Sequence, residues 1–179
     1  FAGKSDRVSG VINIGASEAI GSRLLAKLIR NFSEKYPLVQ FRLYNEMADN
    51  VKDRLDKSLA DIGLLLEPLD IYKYEYLRLP QKETWGILVR TDHPLAAREA
   101  IGPEDTLLSN AVLLVEEGLG CAFCLDGALA VHSSPDLKFI PLSPEKTTHS
   151  VLVWKKNQIF SPAAALFIQE INMTRSNMP

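Results

Sequence analysis

Most of the residues that would announce a chemistry are scarce in this sequence. Two cysteines in 179 residues rule out the disulfide framework that staples small secreted domains. Both lie in Gly120-Cys-Ala-Phe-Cys-Leu125 with redox-motif spacing. A thioredoxin-like pair, however, sits at a helix N-terminus after a strand. Cys121 and Cys124 instead fall inside an apolar run, where strand residues three apart point to opposite faces, so both are expected to be structural. The three histidines, His93, His132 and His149, lie in separate turn-like places and share no ligand spacing, which argues against a metal site. No nucleophile elbow, Walker loop or dinucleotide fingerprint is present, and Gly118-Leu-Gly120 alone is a weak signal. With no acid and base that can be placed together, an enzyme is not expected, nor a cofactor. No apolar run approaches the ~20 residues of a membrane helix, and no secretory signal opens the chain, which favours the cytoplasm. A formal net charge of −2, a pI near 6.0 and the lack of any basic run make it a poor match for a phosphate backbone.

What is present is an ordinary globular composition, 46% apolar and 23% charged, on a chain long enough to bury a core. Gly10 to Pro37 reads as strand, turn and helix. Val11, Ile12 and Ile14 form a buried strand, and Gly15-Ala16 lets the chain turn. Ser17 stands where it can cap a helix. Leu24, Leu25, Leu28, Ile29 and Phe32 recur at helical spacing, and Pro37 stops the helix. Val39, Phe41 and Leu43 alternate as a strand. Val51, Leu55 and Leu59 predict a second helix that Asp49 could cap, and Ala60 to Leu66 is too apolar for a half-exposed strand and reads as a buried parallel one. The order β-α-β-α-β implies a parallel sheet with right-handed crossovers.

Further on, Tyr74–Leu79 and Trp85–Arg90 predict two strands around Pro80. Ala111 to Glu117 predicts a short helix closed by Gly118. Gly120–Leu125, Leu137–Leu142 and Ser150–Trp154 predict three more strands. Ser161-Pro162 opens a last helix through Leu166, Phe167, Ile168 and Ile171.

In this order the segments resemble the effector-binding half of LysR-type transcriptional regulators. The matching pieces are Gly10-Val-Ile-Asn-Ile-Gly15, the Leu24-Leu25 helix running to Phe32 and Tyr36-Pro37, and Leu59-Ala-Asp-Ile-Gly63. To these are added His93-Pro-Leu-Ala96, Val115-Glu-Glu-Gly-Leu-Gly120, and Val153-Trp154 leading to Ser161-Pro-Ala-Ala164. The resemblance implies an α/β fold of periplasmic-binding-protein type: subdomain I over residues 1–80 completed by 155–179, subdomain II over 81–154, and a ligand cleft between them. It implies a cytoplasmic sensor of a small-molecule effector that self-associates as a dimer or tetramer. The dimer contact would use the Leu24–Phe32 helix and the Val39–Leu43 strand. DNA would be reached only through an N-terminal helix-turn-helix absent from this sequence. A solute-binding receptor of a transporter with the same fold is the alternative.

One departure from the family pattern stands out. Between Leu107 and Val115 the family places a strand, a helix and a strand. A βαβ unit takes about 30 residues, and only a handful are available, so either this member has lost part of the second subdomain or, as is expected, the sequence joins two segments across a gap near residues 110–111.

Loops that follow successive parallel strands converge at the carboxyl edge of a sheet, where helix amides offer hydrogen bonds. The expected effector contacts are therefore Ser17, Glu18 and Ala19 after the first strand, and Glu46, Met47 and Asp49 after the second. Leu66 and Glu67 complete the set at the end of the third. Asp49 would work against a simple carboxylate effector unless a cation compensates.

Overall fold

The protein is represented by a computed structural model that describes residues 8–17, 21–70, 72–100, 112–127 and 134–175. The chain divides into two compact units, residues 1–81 with 149–179, and residues 82–148.

The first unit is built around β1 (Gly10–Ala16), which runs parallel to β2 (Val39–Asn45) on one side and β3 (Ile62–Leu66) on the other. Ile12 stands opposite Phe41, and Gly15 lies between Tyr44 and Gly63. β3 continues to β7 (Thr147–Lys155), which is antiparallel to it with Leu64 opposite Leu152. The strand order through this region is β2-β1-β3-β7-β4, where β4 is Tyr74–Arg90. The helices are α1 (Gly21–Lys35) and α2 (Ala48–Asp56), joined by the C-terminal helix Pro162–Arg175.

Two-residue periodicity sends alternate side chains to opposite sheet faces. Ile12, Ile14, Leu64 and Leu152 pack with Leu25, Phe32, Phe167 and Ile171 in one cluster. Leu65, Val151 and Val153 pack with Val51, Leu55, Ala60 and Tyr74 in the other. Burial on both faces explains why β3 lacks polar alternation.

Several elements differ from the sequence expectation. Gly15 and Ala16 do not form a turn but complete β1. Gly15 is small because α2 crosses there: a Cβ would sit 2.9 Å from Val51 Cγ1, and one on Gly63 2.8 Å from Leu55 Cδ1. α2 ends at Asp56, short of Leu59, which is exposed. Ser58 adopts φ 55°, with Ser58 N donating to Leu55 O and Leu59 N to Arg54 O. That is a Schellman closure made without glycine, which hid the helix end. The two strands expected around Pro80 are one 17-residue strand. Proline, lacking an N–H, is tolerated where no ladder bond is needed from that residue, and here β4 is about to pass from the first unit to the second.

In the second unit the last part of β4 is flanked by β5 (Ala122–Leu125) and β6 (Leu137–Pro141), both antiparallel to it. Leu88 faces Ala122 on one side and Phe139 on the other. α3 (Val112–Glu116) closes through Gly118 at φ 75°, with Gly118 N donating to Val115 O and Leu119 N to Leu114 O. The glycine cap read from the sequence is thus present. Cys121 is buried beside Ile87, Val89 and Ile140. Cys124 is half-buried, and both cysteines are free thiols. Burial, aided by Asp126, pushes the Cys124 thiol up to about 11, so it is a poor nucleophile at neutral pH. The junction at residues 110–111 lies outside the described residues. Among the described residues, no helix is long and apolar enough to cross a membrane.

The C-terminal helix, α4 (Pro162–Arg175), begins as its sequence predicts. Ser161 Oγ accepts a hydrogen bond from Ala164 N at 3.2 Å, and proline occupies the first helical position.

Candidate functional site

The three strand ends of the first unit are laced together by backbone hydrogen bonds. Glu46 N donates to Ala16 O, Ser17 N to Leu64 O and Glu67 N to His149 O, each at 3.0 to 3.1 Å. Parallel β1, β2 and β3 thereby bring their carboxyl ends, and the residues that follow, to one edge.

Ser17 is buried, and its hydroxyl donates to Leu64 O at 3.1 Å, the same carbonyl that takes its N–H. Its side chain thus ties β1 to β3; the expected cap of the first helix would serve amides of residues 18–20, which lie outside the described residues. Glu18 and Ala19 lie outside the described residues.

Glu46 is gripped by a residue the sequence reading overlooked. Arg54 Nε lies 2.9 Å from both carboxylate oxygens, and Arg54 Nη2 lies 2.6 Å from Oε1. The guanidinium also sits 4.2 Å over the Tyr44 ring, a cation–π contact. The Arg54 hydrogen bonds hold the Glu46 carboxyl below its ordinary range, and Glu46 in turn raises Arg54. Residues 46 and 54 are eight apart, two turns along the chain once α2 is formed. A helical-wheel reading confined to apolar positions does not register such a pair.

Met47, not Asp49, occupies the N-cap of α2, and it makes no side-chain capping bond. Asp49 lies in the first turn, where a carboxylate favours the helix dipole, and it pairs with Lys52 at 3.2 Å. The capping role expected of Asp49 is corrected accordingly. Both Met47 and Asp49 are exposed.

Leu66 pairs with Ser150. Glu67 Oε1 accepts from Arg78 Nε at 2.8 Å, with Nη2 at 2.7 Å, while Oε2 lies 3.8 Å from His149 Nδ1. Arg78, His149 and Ser150 are distant in sequence, and only the strand pairing collects them here. Gly21 is the remaining contributor. A Cβ on it would lie 2.6 Å from Ser150 Cβ and 2.7 Å from its Oγ, so α1 starts in direct contact with β7. Among the described residues, no group of three or more His, Cys, Asp or Glu is placed to hold a metal ion.

This architecture, parallel strands with loops gathered at one sheet edge in the first of two α/β units, is that of the two-subdomain, periplasmic-binding-like fold. The LysR substrate binding domain model matches residues 5–114, and the chain belongs to that family. An uncharacterized HTH-type transcriptional regulator of Bacillus subtilis, YvbU, is 32% identical over 109 residues, 61% of this chain and 36% of that protein. The chain thus spans little more than a third of that regulator. A second B. subtilis regulator, YybE, is 24% identical over 197 residues, taking in 90% of this chain and 67% of its own length. Among solved structures, the effector binding domain of QuiR in complex with shikimate superposes with a TM-score of 0.77 at 17% identity, covering 95% of this chain and 99% of that one.

Proposed function

We propose that this chain is the effector-sensing part of a cytoplasmic, DNA-binding transcriptional regulator, acting by binding a small metabolite and not by catalysis. The observation that carries the reading is the family match over residues 5–114, which takes in β1, β2, β3 and every described loop at their shared edge. The names of YvbU and YybE, both HTH-type regulators, favour it over the transporter receptor. The effector is placed at the edge formed by Ser17 to Ala19, Glu46 to Asp49, and Leu66 with Glu67. DNA contact belongs to a helix-turn-helix outside this sequence. The test is to sequence the coding region upstream of the codon for Phe1. A helix-turn-helix there is expected; a secretory signal would overturn the regulator in favour of the receptor.

Self-association through α1 and β2 is part of the same proposal. β2 ends the sheet, and Leu38 and Leu43 are 56% and 57% exposed. Phe32 and Phe41 are already engaged within the chain, each in edge contact with Phe167, so the contact surface is narrower than the apolar pattern alone implied. Sedimentation is expected to show a dimer at micromolar concentration; a monomer at high micromolar concentration would remove it.

The second unit is further proposed to be short by a strand–helix–strand segment relative to its relatives. The alignment with YybE runs over 197 positions, more than the 179 residues of this chain, while using only 90% of them, so YybE carries positions that face nothing here. The intact mass of the protein expressed from its native gene is expected to exceed 19.9 kDa by the missing segment and whatever flanks it. A peptide map joining residues 110 and 111 directly would instead make the shortening a true deletion.

A further inference from the structure

We propose that the turn following β4 in the second unit is a proton-operated latch, held closed by neutral His93 and released when the ring takes up a proton. The inference stands apart from the effector-sensing reading. It comes from the His93-Pro-Leu-Ala96 motif, which that reading leaves without a task.

The turn is the short 3-10 helix Pro94–Ala97. His93 is its N-cap, with φ −70° and ψ 142°, and its ring Nδ1 accepts a hydrogen bond from Leu95 N at 3.2 Å. Serine, threonine and asparagine cap through an oxygen that needs no proton change to accept. A ring nitrogen accepts only while it carries no proton. The backbone nearby offers no ready substitute: Pro94 has no N–H of its own, and His93 O is already taken by Ala96 N. On the imidazolium, two N–H groups would face each other and the turn would lose its cap. A bond made to the neutral ring is therefore complete at alkaline pH and is lost as pH falls.

The latch fastens the end of the β4–β6 ladder. Thr91 N donates to Asp136 O, His93 N to Arg90 O, and Lys138 Nζ on β6 to Ala96 O. Ala96 is buried against Ile87, Val89, Cys121 and Ile140, with Leu95 packed on the same cluster. Among the described residues, the charges around the ring are few. Asp92 attracts the imidazolium, but Arg90 holds both of its oxygens, at 2.9 and 2.6 Å, and also donates to Glu116 O. Lys138 places a positive charge on the β6 side. Asp136 and Glu117 bear on Arg90, and Arg98 and Glu99 follow in the chain. The one nearby carboxylate that would reward protonation thus already has a cation, and protonation removes the cap.

The experiment is NMR of the isotope-labelled full chain at about pH 8 and about pH 5, either side of an ordinary imidazole at about 6.5. His93→Asn, which keeps a capping oxygen but cannot titrate, and His93→Ala are measured in parallel, with melting curves to check folding. At the higher pH the wild-type His93 ring is expected as the Nε2–H tautomer, with Nδ1 unprotonated. Hydrogen-exchange protection of the Leu95 amide should fall roughly 2- to 10-fold in wild type at the lower pH, the loss of one neutral hydrogen bond. It should stay level in His93→Asn and be low at both pH values in His93→Ala. The Ile12 amide of β1, in the other unit, is the reference. An Nδ1–H tautomer at the higher pH overturns the inference, and this wild-type readout holds even where a variant does not fold. So does Leu95 protection that is indifferent to pH in wild type, falls equally in His93→Asn, or falls no more than that of Ile12.

Discussion

The two units hold themselves together in different ways. In the first, β1 is paired along its whole length, seven residues against β2 and three against β3, all parallel. Helices cover both faces, and a ring cluster of Phe32, Phe41 and Phe167 joins α1, β2 and α4. In the second, β5 and β6 each pair with β4, over four and five residues, and both ladders are antiparallel. A lattice with several cross-connections loses one cluster when a side chain is removed. A sheet hung on one strand loses both ladders when that strand is displaced. The sequence supplies a probe for each unit, Trp154 in the first unit's core and Trp85 in the second, stacked on Phe123 at 4.9 Å. A Trp→Phe variant of either leaves fluorescence to report on the other.

The largest effect is expected from Phe167→Ala. Phe167 is 1% exposed, and truncating a buried phenylalanine costs about 3–5 kcal/mol. Denaturation followed through Trp154 should shift strongly. A shift no larger than that of an exposed substitution would show that the aromatic cluster is not the keystone of the first unit.

Gly86→Ala should act next, and on the other unit. A Cβ there would run into the backbone oxygen of Ile140 and lie 2.7 Å from Phe139 Cε2. A backbone atom cannot rotate aside, so β6 must move; forced overpacking costs roughly 1–3 kcal/mol. Both β4 ladders are expected to loosen, read as faster amide exchange in β5 as well as β6. Loss confined to β6 would break the picture of a sheet hung on one strand.

Ser161→Ala removes the N-cap of α4 and should cost about 1 kcal/mol, seen through Trp154 and not through Trp85. Its smallness is itself informative, since Ala163, Ala164, Phe167 and Ile171 are buried along the helix and packing holds most of it in place.

How far the sequence was legible follows from the same contrast. Elements of the first unit whose signal is local were readable: the apolar run of β3, the alternation of β2, the Ser161-Pro162 start. Gly118 was equally legible as a cap because glycine advertises a left-handed residue, whereas Ser58 in the same conformation gave no warning. The site was legible only as a location. That the loops converge follows from parallel strands, but Arg54, Arg78, His149 and Ser150 enter through pairing and helix formation, which no spacing in the sequence encodes. Ser17 illustrates the limit: a serine before a helix reads as a cap, and nothing local announces that its hydroxyl also donates to the carbonyl of Leu64 in β3, 47 residues away.

The smallest predicted effect tests a charge on the first unit's surface. Asp56, the last residue of α2, accepts from Lys73 Nζ at 3.0 Å and from the Tyr74 hydroxyl at 2.8 Å. A carboxylate at a helix C-terminus opposes the dipole, so these partners offset a local penalty. The Lys73 bond, then the Tyr74 bond, hold the Asp56 carboxyl below its ordinary value of 3.8. A depressed acid contributes stability that is present above its unfolded value and disappears as pH falls through its folded one. With the side chain 37% exposed, solvent screening keeps the gain to at most about 1 kcal/mol. Asp56→Asn preserves the acceptor for Tyr74 while deleting the charge, so it should be less stable than wild type at neutral pH. The gap should close as the solution is taken below about pH 4 and narrow with added salt. A gap that stays constant across that range would assign the contribution to hydrogen-bond geometry alone, and the Lys73 pair would then contribute no more than an ordinary surface contact.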